Sequence, residues 1–280
     1  MRLIHLSDPH FGGENPDAVA GATAFVRADP PDIAIITGDL TLNGLPKEFK
    51  AAAAWLAALP RPWLATPGNH DTPYWNLPLR ALAPFGRYSR YIGVADGEAL
   101  DGPGVSVRTL TTARGAQPRL DWSKGAIDLD RCRAAAADMA GEGPDRRLKV
   151  AACHHPLTEA LDAPVTGGVH RGEAGARLLA EGGVDLILTG HVHNPFVSAL
   201  PFGDGHTYAV GAGTLSTRLR GTPAGFNCVD VDEETVTVTA MGWTGSVFTP
   251  YRTWAVRRRP AGASGPILAG ARISGAEASA

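Results

Sequence analysis

Cysteine is scarce in this chain. Cys132, Cys153 and Cys228 are the only three in 280 residues, widely scattered and without a C-x-x-C pair. That excludes a disulfide framework and fits a reducing compartment. A basic surplus is also lacking. Lys and Arg number 26 against 28 Asp and Glu, for a net charge of -2, so composition gives no sign of a nucleic-acid binder. No apolar run is long enough to span a bilayer. The opening stretch "MRLIHLSDPH" reaches Asp8 too soon to hold a signal-peptide core, and a cytoplasmic location is the expectation. No internal repeat is visible. What is present is ordinary for a globular protein: 44% hydrophobic residues and a length that suits one large domain or two small ones.

Apolar runs divide the chain. "RLIHLS" alternates, whereas "PDIAIITGDL" is a continuous apolar run, as in a strand covered on both faces. "PWLATPGNHD", "GVSVRTLTT", "RLKVAACHHP" and "GVDLILTGHVH" follow, and later "HTYAVGAGT", "GFNCVDVD" and "TVTVTAMGW". Between them, "PDAVAGATAFVRA", "PKEFKAAAAWLAAL", "LDRCRAAAADMA" and "GEAGARLLAEG" carry helical apolar spacing and many alanines. Strand–helix alternation followed mostly by strands predicts an α/β layered fold with an antiparallel portion near the C-terminus. The end of the chain, "PAGASGPILAGARISGAEASA", is rich in Gly, Ala and Ser and reads as a loosely packed extension.

Five of the apolar runs end in polar clusters: "SDPH", "TGDL", "TPGNHD", "ACHHP" and "TGHVH". Ligands of open α/β sheets gather beyond the carboxyl ends of strands. Convergence there would bring Asp8, His10, Asp39, Asn69, His70, His154, His155, His191 and His193 to one rim. Taken singly, each cluster has an ordinary explanation. Asp8-x-His10 suits an Asx-capped turn, Asn69 and Asp71 are common turn residues, and His154 and His155 suit a buried pair. Gly190-His191-Val192-His193 is the most specific fragment, because alternate residues of an extended segment point the same way. The conjunction of five clusters carries the weight. Oxygen and imidazole donors without thiolate suit Mn, Fe, Co, Ni or Zn. Eight or so donors exceed the needs of one ion, and two ions sharing a carboxylate would use them well.

"D-x-H", "GD", "GNHD", "HH" and "GHVH", in that order, resemble the calcineurin-like metallophosphoesterases over about Leu3 to Met241. "GDLTLNG" with "EF" after it, "KGAIDLDR" and "GFNCVDVD" are similar to the branch that holds class III cyclic-nucleotide phosphodiesterases and glycerophosphodiesterases. The resemblance implies a four-layer αββα sandwich; with the Gly-, Ala- and Ser-rich end read as a tail, the domain is expected over residues 1–258 and the tail over 259–280. The resemblance also implies two ions (Mn, Fe, Zn or Co), one on Asp8, His10, Asp39 and His193, the other on Asp39, Asn69, His154 and His191. It leaves His70 as the catalytic residue facing substrate, and Asp71 and His155 as orienting positions or substrate contacts. A hydroxide bridging the two ions would then attack phosphorus, with His70 stabilising phosphoryl charge or protonating the leaving oxygen. Red-purple acid phosphatases place Tyr three residues after the bridging Asp. Leu42 stands there, so no tyrosinate–iron colour is expected.

The expected partner is a small phosphodiester. Few arginines neighbour the motifs: Arg171 is nearest, and Arg218 and Arg220 sit in "LSTRLRG". That scarcity favours a diester over the more charged monoester. A nuclease or phosphomonoesterase on the same core, and a non-catalytic scaffold of this fold, are the alternatives. Homo-oligomerisation is compatible with the sequence. His5 reads as a packed strand residue, His206 as exposed in a turn, and His170 as a loop residue able to approach the site. Trp55, Trp63, Trp122 and Trp243 read as packing residues. The aromatic, Pro-punctuated segment from Tyr74 to Tyr91 reads as a substrate-side cap, an oligomer surface or core.

Overall fold

The computed structural model describes residues 1–118, 121–140, 147–159 and 168–260. In chain order the elements are β1 (Arg2–Leu6), α1 (Pro16–Ala28), β2 (Ile33–Ile36), α2 (Pro46–Ala58), β3 (Trp63–Ala65), α3 (Leu77–Leu82), α4 (Gly86–Tyr91), β4 (Ala99–Gly102), β5 (Val105–Thr109), α5 (Leu129–Ala140), β6 (Leu148–Ala152), α6 (Gly172–Glu181), β7 (Leu186–Thr189), β8 (Phe196–Ala199), β9 (Tyr208–Gly211), β10 (Gly225–Val231), β11 (Thr235–Trp243) and β12 (Phe248–Arg257). The helix starts follow local chemistry. The Asn15 side chain accepts from Ala18 N–H at 3.1 Å, and Pro16 occupies the first turn of α1. At α2, Pro46 takes that place and the Glu48 carboxylate reaches back to the N–H groups of Leu45 (3.1 Å) and Asn43 (2.8 Å).

The strands form two mixed six-stranded sheets, ordered β12-β11-β10-β1-β2-β3 and β4-β5-β6-β7-β9-β8. β1, β2 and β3 run parallel, as do β5, β6, β7 and β9. Alternation of side chains then builds the layers. On β2, Ile33 and Ile35 face the second sheet, joining Val107, Val150, Leu188 and Val210, while Ala34 and Ile36 face α1 and α2. On β7, Leu186 and Leu188 enter the same inter-sheet core, and Ile187 packs with Cys132 of α5 and Leu179 of α6. Helix, sheet, sheet, helix is the expected αββα sandwich. Among the described residues, no helix is long and apolar enough to cross a membrane.

Several elements lack a sequence signal. β12 pairs with β11 along a register broken between Ala240 and Met241, carries Pro250, and is mostly exposed. Only Phe248, Trp254 and Val256 of this edge strand pack, partly buried, against the cores, too little apolar alternation to read. The segment from Tyr74 to Tyr91 divides: Tyr88 is fully buried and Phe85 and Tyr91 pack on the helix-side core, but Tyr74, Trp75, Leu77 and Leu82 are exposed. His5 is packed as expected, with Nε2 3.0 Å from Thr37 Oγ1. His206, expected in the open, is half-buried, because neighbouring Thr207 is drawn down onto the Val184 carbonyl at 2.6 Å. Trp55 is buried, and Trp63 and Trp243 lie partly buried against the same core. Trp122 lies under the Arg80 guanidinium at 5.6 Å. Arg259 pairs with Asp185 at 3.1 Å and with Asp204. From residue 261 onward, the stretch read as a tail lies outside the described residues.

Candidate metal centre

The strand ends of both sheets turn sharply at one place. Among the described residues, six non-glycine residues have positive φ: Asp8 (53°), His10 (48°), Asp39 (51°), Arg171 (62°), His191 (66°) and His193 (55°). Five of these six are the carboxylates and imidazoles singled out above. Left-handed backbone costs a non-glycine residue roughly 1–3 kcal/mol and persists where the surroundings enforce it. Here it rotates each donor inward off the end of its strand. Two glycines allow the close packing. A Cβ on Gly68 would lie 2.1 Å from Asp39 Oδ1, and one on Gly190 would lie 1.8 Å from Ser7 Oγ.

The donors close into overlapping groups whose ligand atoms lie within 4.8 Å of one another: Asp8, His10 and His193; Asp8, Asp39 and His154; His10, Asp39 and His70; His154, His155 and His191. In the first, Asp8 Oδ1 is 3.1 Å from His193 Nε2 and 3.6 Å from His10 Nε2. Asp39 Oδ2 lies 3.7 Å from His10 Nε2 and 3.3 Å from His154 Nε2, so a single oxygen faces both sides. Asn69 Oδ1 is 3.2 Å from His154 Nε2. The other oxygens are taken. Asp39 Oδ1 accepts from His70 N–H at 2.8 Å, and Asp8 Oδ2 accepts from Ser7 Oγ at 2.5 Å and His191 N–H at 2.9 Å.

The imidazoles are oriented from behind. His10, His154 and His193 direct Nδ1 at the carbonyls of Thr41 (3.3 Å), Thr37 (2.7 Å) and Arg218 (2.7 Å). A carbonyl only accepts, so each Nδ1 carries the hydrogen and each Nε2 turns its lone pair inward. His10 Nε2 and His193 Nε2 are then 3.3 Å apart, both beside the Asp8 carboxylate. Acceptors facing acceptors at this spacing repel unless a cation lies between them. The separations are close to the roughly 3 Å expected between ligand atoms that each bond one ion at about 2.0–2.2 Å. The donor set therefore fits divalent ions.

Protons can take the cation's place, and the electrostatics show where. Burial opposes charge on His154, yet Asp39's negative charge and hydrogen bond raise its imidazole to about 9. Burial also works against ionised Asp8 and Asp39, but the adjacent His193 and His154 respectively hold them well below the usual carboxylate range. Burial pushes His10 down to about 3 against the pull of Asp39 and Asp8. His191 is lowered further by burial and by its neighbours His155 and His154. The ionised carboxylates and the neutral His10 and His191 are already in the states that metal ligands take, whereas His154 has to give up its proton before it binds an ion.

The remaining residues separate by their contacts. His155 has both ring nitrogens in use, Nδ1 with Thr112 Oγ1 at 2.8 Å and Nε2 with the Ser123 carbonyl at 2.8 Å. Asp71 accepts from the N–H groups of Leu40 (3.1 Å), Thr41 (2.8 Å) and Gly68 (2.9 Å), tying the loop after β2 to the loop after β3. Burial and the charge of Asp39 raise its carboxyl to about 7. His70 packs edge-on against His10 at 4.8 Å; its Nδ1 lies 2.6 Å from the Leu42 carbonyl and its Nε2 3.0 Å from Arg218 Nη1. Residues 69–71 form a single 3₁₀ turn, so Asn69 and His70 diverge through a turn and not through extended alternation. His191 and His193 likewise join different groups, since Val192 N–H closes onto the Gly190 carbonyl at 2.7 Å. His170 is exposed, its backbone paired with Gly125 and Ile127, and belongs to none of the groups.

The arginines correct the sequence reading. Arg171 precedes α6 as an exposed, left-handed residue. Arg218 and Arg220 are the ones at the centre: Arg220 Nη1 donates to the His191 carbonyl at 3.3 Å, and Arg218 reaches His70. Their loop follows β9, whose end carries no ligand-type residue, so no sequence signal linked them to the motifs. The argument for a diester from scarce arginine is thereby lost.

Comparison with known proteins gives the chain's relatives, its fold and its family. A stretch of 96 residues is 36% identical to glycerophosphodiester phosphodiesterase GpdQ of Enterobacter lignolyticus, covering 30% of this chain and 34% of that protein, so the match spans about a third of the relative's length. The fold is that of a dimetal phosphatase from Danio rerio (TM-score 0.65, 11% identity, 92% of this chain and 99% of that one). It is equally that of the purple acid phosphatase PPD1 from yellow lupin seeds (TM-score 0.68, 15% identity, 92% and 54%). A family model described as calcineurin-like phosphoesterase matches residues 1–195, well over half of the sequence, and the chain belongs to that family.

Proposed function

We propose that the protein is a dinuclear metal-dependent phosphodiesterase acting on a small phosphodiester, a cyclic nucleotide or a glycerophosphodiester. The observation that carries this is the meeting of two donor groups at Asp39 Oδ2, 3.7 Å from His10 Nε2 and 3.3 Å from His154 Nε2. Asp8, His10, Asp39 and His193 would hold one ion, and Asp39, Asn69, His154 and His191 the other. Bound ions would supply Lewis acidity and lower the pKa of a coordinated water. The chain's own residues do the rest. Asp39 is held by His70 N–H and Asp8 by Ser7 and His191, so the carboxylates are aimed before any ion arrives. His70 presents Nε2 to the substrate side. With Nδ1–H fixed on the Leu42 carbonyl, Nε2 donates a proton to a leaving oxygen only as the imidazolium and otherwise accepts.

The diester assignment is supported by the stretch shared with a glycerophosphodiester phosphodiesterase. A second reading, hydrolysis of a phosphomonoester, is favoured by Arg218 and Arg220 at the centre. The complete donor set speaks against a non-catalytic scaffold. A hydrolysis panel on Mn-reconstituted protein tests the proposal, with bis-p-nitrophenyl phosphate, p-nitrophenyl phosphate, cyclic AMP and glycerophosphoethanolamine. Higher kcat/KM on the diesters is expected. Preference for p-nitrophenyl phosphate would replace the first reading with the second, and no hydrolysis by metal-loaded protein would reject both.

A further inference from the structure

The loop between β9 and β10 carries Arg218, Leu219 and Arg220 beside the donor cluster, on a firmly anchored backbone. The Arg218 carbonyl takes His193 Nδ1 at 2.7 Å, and Arg218 N–H reaches Ser216 Oγ at 3.2 Å. Thr217 places both N–H (3.1 Å) and Oγ1 (3.0 Å) on the Gly13 carbonyl, and Thr222 Oγ1 donates to the His193 carbonyl at 3.0 Å. The two guanidiniums then part. Arg220 is half-buried and bonds backbone. Arg218 is exposed, and Nη1 donates to His70 Nε2 at 3.0 Å. Among the described residues, no carboxylate lies within ion-pair distance of Arg218. A permanent cation is therefore held at the site by a neutral acceptor, with a second cation nearby.

We propose that Arg218 reads the charge of the phosphoryl group, its guanidinium leaving His70 Nε2 for a terminal phosphoryl oxygen and holding a dianion more tightly than the monoanion of a diester. The proposal rests on the phosphoesterase reading above. A guanidinium offers parallel N–H donors matched to two oxygens of one phosphate, and charge-assisted bonds of this kind are about twice as strong as neutral ones. The imidazole bond it gives up is charged on the donor side only, whereas the bond to phosphate is charged on both sides. A diester has only two unesterified oxygens and one charge to offer the guanidinium and the metal-ligand cluster together. A phosphomonoester has three unesterified oxygens and inorganic phosphate four, each with about two charges above neutral pH, so a fork aimed from the rim still finds a free edge. Diester hydrolysis releases a monoester, so the product would compete with its own substrate at this residue.

The test is calorimetric titration of inorganic phosphate into Mn-loaded wild type, Arg218→Ala and Arg218→Gln, with metal content measured and the KM for bis-p-nitrophenyl phosphate determined in parallel. Both variants should bind phosphate about 10- to 100-fold more weakly, while the diester KM moves by a several-fold smaller factor. Unchanged phosphate affinity in both variants would overturn the proposal. So would equal weakening of phosphate and diester, or loss of metal from both variants, which would reduce Arg218 to a support for His193. If wild type hydrolyses no diester yet binds phosphate in an Arg218-dependent way, the phosphodiesterase reading fails and this one stands.

Discussion

Asp39 Oδ2 faces both His10 and His154, whereas Asn69 Oδ1 faces His154 alone. The difference predicts that Asp39→Ala loses both ions and nearly all activity, and that Asn69→Ala keeps more of each. Elemental analysis and kcat/KM on the same preparations check this, and equal losses with metal content intact would sink the sharing assignment. His70 gives a second expectation. If its imidazolium protonates the leaving oxygen, His70→Ala should keep its metals and lose about 10²–10⁴-fold on a cyclic nucleotide or glycerophosphodiester. It should lose much less on bis-p-nitrophenyl phosphate, whose leaving group departs without a proton. Equal losses on both substrates would leave His70 only a charge-stabilising role. The candidate donors were legible because each follows a buried apolar run. Their directions were not, since the left-handed turns at Asp8, His10, Asp39, His191 and His193 are imposed by tertiary packing and leave no local signature.

Each of the five motif loops connects a buried parallel strand to the centre, and close approach between loops fixes the site as much as any ligand. Gly68 and Asp39 belong to different loops, and a Cβ on Gly68 would lie 2.5 Å from Asp39 N as well as on its carboxylate. Gly68→Ala should therefore destabilise the fold by about 1–3 kcal/mol and displace Asp39. A melting temperature and metal content both equal to wild type would show that the loops yield more easily than this packing implies. The apolar runs behind the loops were readable because strands buried on both faces are nearly pure Val, Ile, Leu and Ala. The same physics hid β12, which is exposed along most of its length, and the four-residue β4 and β8, too short to show a period. The helices α1 and α5 were readable end to end, each having an apolar stripe with a start signal, whereas α3 and α4 have only six residues each, too few to show a helical period.

Across the whole molecule the buried charges predict a pH profile for metal-free protein. His10 and His155 titrate near 3 because of burial, the latter also because of His154's charge. The unfolded chain binds these protons up to about pH 6.5, so their neutral burial makes stability rise with pH between about 3 and 6.5. Asp71, raised to about 7, opposes part of that rise. His154, raised to about 9 against the cost of burial, contributes stability that is complete below about 6.5 and lost as pH climbs to 9. Chelator-treated protein should melt highest near pH 6.5 and lower at pH 9. Saturating Mn should remove the alkaline loss, since an ion at Nε2 takes the proton's role. A chelated protein that melts higher at pH 9 than at pH 6.5 would contradict the Asp39–His154 pairing. The most direct test of the central claim is metal stoichiometry: elemental analysis of the Mn-saturated protein after removal of free ion. Two ions per chain is the predicted result, and one or none would contradict it.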